Sequence, residues 1–222
     1  MASRYKLYSI TLVSAAMILM MVNIVGAAPF VYVANTNDNT VSVIDTATDN
    51  ITTTVNVGNH PIGTAVTPDG TTVYVANSGS NDVSVINTTT NAVTDTVPIG
   101  SYPWGVAIIP DGTKIYVTNM QSNTASVIGN ARNSVTSTVN VGISPVGVAV
   151  IPNGAKAYVA NSGDNTVSVI DTATDTNVAT VPVGNQPYVV SAATDGKSVN
   201  VTNMDGTVSV IDTATDTATY PQ

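Results

Sequence analysis

The chain alternates short apolar runs with short polar breaks, and the rhythm holds from Phe30 to the C-terminus. One stretch shows the elements this predicts. Gly63 to Thr67 is an apolar run behind Pro61 and predicts a strand. Pro68-Asp69-Gly70 predicts a hairpin turn, since proline presets φ and glycine accepts a positive one. Thr72 to Ala76 predicts a second strand, and Asn77 to Asn81 a polar loop. Val83 to Ile86 alternates as a third strand, and Asn87 to Asn91 reads as a turn. Val93, Asp95, Val97 and Ile99 mark a fourth strand of period two, and Gly100 to Pro103 leads into the next unit.

The unit recurs every 42 residues. Tyr-Val-Ala/Thr-Asn begins at Tyr32, Tyr74, Tyr116 and Tyr158, with a degenerate copy at Asn200-Val201-Thr202-Asn203. Glycines 58, 100, 142 and 184, prolines 61, 103, 145 and 187, and turn glycines 70, 112, 154 and 196 keep the same step. Four antiparallel strands in a unit of this length predict a propeller blade. The Pro-x-Gly strand is the most continuously apolar and is expected innermost. The Thr-rich fourth strand is expected at the outer edge, facing water.

Counting strands predicts an all-β propeller of four-stranded antiparallel blades, with about 4.5 blades in the chain. The first unit begins at its second strand. Three complete units follow, from Pro61, Pro103 and Pro145. The last, from Pro187, has Val189 for Gly, Thr194 for Pro, Asn200 for Tyr, a shortened loop and a short outer strand. The array is expected as an open arc or an imperfect five-bladed ring. An open arc leaves Val and Ile faces uncovered, which predicts self-association through the unfinished terminal blades.

Composition agrees with this pattern. All 14 acidic residues are Asp, a turn former, and none is Glu, a helix former. Phe30 and Trp104 are alone in their residue types, so Val, Ile and Ala are expected to fill the core without large aromatics. The net charge of -8 repels phosphate backbones and argues against a nucleic-acid partner. The absence of Cys excludes disulfides, thiolate metal sites and a Cys nucleophile. No phosphate loop, carboxylate dyad or nucleophile elbow stands in the sequence, so the expectation is a non-enzymatic chain without a cofactor; the alternative is a fragment of a propeller enzyme, lyase-like or quinone-dependent, against which the scarcity of His, Glu and Arg counts.

Residues 1–28 read as a secretory signal peptide or N-terminal membrane anchor, and residues 29–222 as the repeat array. Arg4 and Lys6 precede an apolar run from Ile10 to Val25, and small residues around Ala27 and Ala28 suit cleavage. The run is short for a membrane span. An extracellular or cell-surface location is expected, with membrane contact only through an uncleaved leader.

Tyr-Val-Thr-Asn, Ser-Val-Ile-Asp-Thr, Pro-x-Gly-Val-Ala and Pro-Asp-Gly, in this order, resemble the YVTN-family β-propeller repeat. That family is typified by archaeal surface-layer-type proteins and also occurs in bacterial exported proteins. The resemblance covers the chain from Phe30 onward. It implies a structural or adhesive role, with other envelope proteins or glycans as partners.

The candidate ligand site is Tyr102, Trp104 and Tyr188, on connectors expected to ring one end of the central channel, where aromatic faces suit sugars or a peptide. His60 is the only His, and its slot is filled by Tyr102, Ser144 and Gln186 in later units, which argues against a catalytic role. The Asn/Asp loops look like calcium strings but supply too few carboxylates, so no metal site is expected and these side chains are read as turn caps. The Asn ending each Tyr-Val-x-Asn strand is expected to bond neighbouring backbone. Asn50 and Asn87 are candidate glycosylation sites in or beside turns, while the sequon at Asn200 falls within a strand.

Overall fold

The computed structural model describes residues 30–219, and every regular element among them is a strand. The leader expected over residues 1–28 lies outside the described residues. Blade 1 is a three-stranded sheet of β1 (Phe30–Asn35), β2 (Thr40–Asp45) and β3 (Asn50–Asn56). Blade 2 adds the inner strand: β4 (Pro61–Val66), β5 (Thr72–Asn77), β6 (Asp82–Asn87) and β7 (Ala92–Pro98). Blade 3 is β8 (Pro103–Ile108), β9 (Lys114–Asn119), β10 (Thr124–Gly129) and β11 (Ser134–Asn140). Blade 4 is β12 (Pro145–Val150), β13 (Lys156–Asn161), β14 (Thr166–Asp171) and β15 (Thr176–Pro182). Blade 5 is β16 (Pro187–Ala192), β17 (Ser198–Asn203), β18 (Val208–Asp212) and the three-residue β19 (Thr217–Thr219).

All pairing is antiparallel between sequence neighbours. The Pro-x-Gly strands are innermost and pack on one another, β4 on β8, β8 on β12 and β12 on β16. The five sheets form an arc that does not close into a ring. Glycine makes this inner packing possible. A Cβ on Gly105 or on Gly147 would stand 2.5 Å from a carbonyl oxygen of the next inner strand, Val146 or Tyr188.

Each apolar cluster straddles two blades. Tyr32, Val41, Val43 and Val55 of blade 1 face forward onto Val73, Val75 and Ile86, which face backward from blade 2. The same division recurs at the next two interfaces, where Ile115, Val117 and Ile128, then Ala157, Val159 and Ile170, are fully buried backward residues. Burying such a side chain contributes about 1.5–3 kcal/mol for Val or Ile. The outer strands contribute little: in β7 only Val97 is buried.

Two expectations are corrected here. Large aromatics do enter the core: Tyr74, Tyr116 and Tyr158 are the largest fully buried side chains. A phenol serves because its hydroxyl reaches a partner across the blade interface. Tyr116 donates to Asp175 Oδ1 at 2.6 Å and Tyr158 to Asp216 Oδ1 at 2.8 Å, and the Tyr74 hydroxyl lies 2.7 Å from Oδ1 of both Asn130 and Asn133 and donates to one of them. Lys114 and Lys156 join the same carboxylates at 2.9 and 2.7 Å. Burial and these carboxylates push the Tyr116 and Tyr158 hydroxyls well above the usual phenol range, and Tyr74 is pushed up to about 12, chiefly by burial.

The repeated strand-end Asn bonds side chains rather than backbone. Nδ2 of Asn77 donates to Asp82 Oδ1 at 2.7 Å and Ser84 Oγ at 2.9 Å, and Asn119, Asn161 and Asn203 make the same fork to a Thr and a Ser. It thereby ties the loop it opens to the following strand. The amide also explains the glycine of each connector, since a Cβ on Gly58 would come within 2.6 Å of Asn77 Nδ2.

Candidate functional site

The connectors between blades carry a non-glycine residue with positive φ: His60 at 50°, Tyr102 at 56°, Ser144 at 52° and Gln186 at 49°. The slot accepts four unrelated side chains because its demands fall on the backbone. The amide of Tyr102 donates to Asn81 Oδ1 of the preceding blade at 2.9 Å, and its carbonyl accepts from Met120 N at 2.9 Å. The same pair of bonds holds His60, through Asn39 Oδ1 and Ser78 N. These bonds offset the strain of a left-handed residue with a Cβ. They also show that Asn39, Asn81, Asn123 and Asn165 do more than cap their own turns: each reaches the connector 21 residues on.

Trp104 is the second residue of β8 and Tyr188 the second of β16. Both sit where the pairing with the next strand slips, between Pro103 and Val106 and between Pro187 and Val189. Such a bulge re-aims a side chain. The structure brings all three predicted site residues together. The Tyr102 and Trp104 rings stack with centroids 6.0 Å apart and planes at 29°, and Trp104 meets Tyr188 edge-on at 5.9 Å and 80°. Val146, from the intervening blade, is buried. Trp104, Tyr188 and Met120 pack on the apolar cluster between blades 4 and 5, yet all remain half-buried.

Among the described residues nothing accepts from the Trp104 indole N–H or bonds the Tyr102 and Tyr188 hydroxyls. The cluster thus offers two stacked rings, one crossing ring and three polar tips without protein partners. Burial raises the Tyr188 hydroxyl above the usual phenol range, and Tyr102 adds to it, so the tip is a neutral donor at physiological pH. Ile143 and Met204, on the flanking connector and loop, are 53% and 67% exposed. Sequence reasoning missed these two, although both lie on the same set of connectors and loops as Tyr102.

Other candidates stay apart. His60 is exposed, and its polar contacts are made by its backbone. Among the described residues no group of three His, Cys, Asp or Glu could hold a metal ion. Asp69, Asp111, Asp171, Asp205 and Asp212 accept from nearby backbone and Thr hydroxyls, which holds their carboxyls below the usual range. Asn50 is exposed at the start of β3, Asn87 is half-buried with Oδ1 accepting from Thr89 N and Thr90 N, and Asn200 is exposed within β17. A cavity of about 390 Å³ opens between the Pro110-Asp111-Gly112 hairpin of blade 3 and the Pro152-Asn153-Gly154 hairpin of blade 4, but its one cation, Lys114, is already held by Asp175 and Thr172 O.

Fold and repeat define a β-propeller repeat protein, and comparison with known proteins agrees. The YNCE-like beta-propeller family profile matches residues 7–97. Over that stretch the chain is similar to this family, and its fold is a β-propeller. Solved structures extend the likeness. A chain of Kuenenia stuttgartiensis Hydrazine Synthase is similar at 30% identity and a TM-score of 0.68, over 71% of this chain and 47% of that one. A functionally unknown protein from Desulfotomaculum acetoxidans DSM 771 shares the fold at 20% identity and a TM-score of 0.77, over 87% and 66%. Dihydro-heme d1 dehydrogenase NirN, in complex with DHE, does so at 17% and 0.71, over 86% and 43%. The chain therefore spans between 43% and 66% of the length of these solved chains. No curated protein matches the sequence.

Proposed function

We propose that this chain is a non-enzymatic, exported adhesive module whose docking surface for a neutral glycan is the Tyr102–Trp104–Tyr188 cluster. The observation that carries this reading is the convergence of three aromatic rings from blades 3 and 5 with their polar tips unpaired. Pyranose rings present C–H faces that stack on aromatics and hydroxyls that pair with donors at the ring edges. A net charge of -8 disfavours acidic ligands. The charged, apolar and small-residue order of residues 1–28 supports export, which would place the cluster where envelope glycans are found.

Glycan-array binding and titration calorimetry test the reading. Trp104→Ala is expected to weaken binding at least tenfold while the melting temperature shifts by only a few degrees, because the ring is half-buried at the rim. Binding that survives Trp104→Ala and Tyr188→Ala together would overturn it. A second reading, the propeller part of a larger enzyme, is supported by the 30% identity to the hydrazine synthase chain. Substrate turnover that depends on His60 would favour it over the first.

A further inference from the structure

The fifth repeat departs from the others in a directed way. Val189 replaces a glycine whose counterparts, Gly105 and Gly147, press on the inner strand of the following blade. Thr194 replaces a proline whose counterparts, Pro68, Pro110 and Pro152, face glycines of the following blade: a Cβ on Gly112, Gly154 or Gly196 would stand 3.3–3.5 Å from the proline Cδ. Ser198 stands where Lys114 and Lys156 pair forward with Asp175 and Asp216. Asn200 stands where Tyr116 and Tyr158 bond those same carboxylates. Ser191 stands where Ala149 is buried facing blade 5.

Residues that point backward are kept. Val199, Val201 and Ile211 are fully buried against blade 4, Gly196 receives Pro152, and Asp216 receives Lys156 and Tyr158. The forward face of blade 5 is thus polar at two core positions where the other blades are not, Ser191 and Asn200, while Thr202 repeats the buried Thr118 of blade 3 and Val208 and Val210 keep their type. Blade 1 is the opposite case. Its backward row, Val31, Val33, Ile44 and Ile51, keeps aliphatic side chains in the register Val31↔Ile44 and Ile44↔Ile51. The blade 2 equivalents Val73, Val75 and Ile86 are fully buried, whereas Val31, Val33 and Ile44 are partly exposed and Ile51 is 62% exposed.

We propose that the two ends of the arc are unequal: blade 5 turns a water-compatible face forward, and the backward face of blade 1 docks a second copy of this chain, blade 1 to blade 1, about a two-fold axis. The polarity of blade 5 decides between the occupants. Head-to-tail stacking would set Asn200 and Ser191 against Val31, Val33 and Ile44, burying an amide and a hydroxyl against aliphatic side chains. The same aliphatic row on another copy carries no such cost, and a two-fold axis makes the contact reciprocal and closed.

Sedimentation of the full chain over a micromolar concentration series should show a monomer–dimer equilibrium that does not proceed to longer species. Val33→Asp should shift it to monomer, and Thr202→Asp should leave it unchanged, with far-ultraviolet circular dichroism showing both variants folded. The chain has no native Cys, so V33C and T202C give clean reporters. A bismaleimide should link V33C chains to each other, which also separates this contact from association through any other segment. A monomer at all concentrations, a dimer that V33C does not cross-link, or linkage between V33C and T202C chains would each overturn the proposal.

Discussion

Tyr116 concentrates what one residue does in this fold. Its ring is fully buried between blades 3 and 4, and its hydroxyl donates to Asp175, which also holds Lys114. The residue couples apolar burial to a charge-assisted bond across the interface. Tyr116→Phe keeps the ring and removes the bond, and is expected to cost about 1.5–3 kcal/mol in denaturant unfolding with little change in slope. Tyr32→Phe should cost less, since its hydroxyl reaches Asn91 only at 3.4 Å. The sequence displayed this tyrosine at every Tyr-Val-x-Asn but not its partner. Tyr116 and Asp175 are separated by 59 residues, more than one repeat, so the bond emerges only once neighbouring blades are placed side by side.

At the level of elements, the four-strand unit was legible because period-two alternation, a turn glycine every 42 residues and Asn-rich loops repeat. The innermost place of the Pro-x-Gly strand was legible too. Its glycine was not, since only the packed arc shows that a Cβ there would strike the next inner strand. The expectation that follows is a contrast between equivalent positions. Gly105→Ala should destabilise by about 1–3 kcal/mol through overpacking. Val189→Ala, at the matching place in β16, should cost about 1 kcal/mol or less, because no following inner strand packs there among the described residues. Equal losses in chemical denaturation would contradict the directional role of this glycine.

For the whole molecule, charge and burial set the pH range of stability. Carboxyls held low by hydrogen bonds, Asp69, Asp111, Asp171, Asp205 and Asp212, contribute stability above the ordinary carboxylate range and lose it as pH falls through their lowered values. The core phenols act at the other end. Tyr74, pushed up to about 12, and the still higher Tyr116 and Tyr158 are protonated when the unfolded phenol, near pH ~10, has begun to ionise. Their contribution is intact below that pH and is lost above it. Melting temperature should therefore be flat near neutrality, decline below about pH 4 and decline again above about pH 10. Core phenolate absorbance should rise only together with unfolding. The sequence placed Tyr102, Trp104 and Tyr188 on connectors at one end of the channel; the structure puts Tyr102 on a connector and Trp104 and Tyr188 at the starts of β8 and β16. The contact between rings two blades apart depends on the curvature of the arc, which no local pattern encodes.

The connectors carry a consequence for how the chain is assembled during synthesis. The amide of each of His60, Tyr102, Ser144 and Gln186 is received by an Asn side chain of a blade already made, 21 residues earlier. The amide just before it waits for a loop still to come, as Asn59 waits for Ser80 and Ser101 for Ser122. A nascent chain can thus be anchored at the exit of a finished blade before the strands of the next exist. Each new blade then starts from a fixed angle and needs only near-neighbour contacts, which favours stepwise, vectorial folding from the N-terminus over a search among distant pairings.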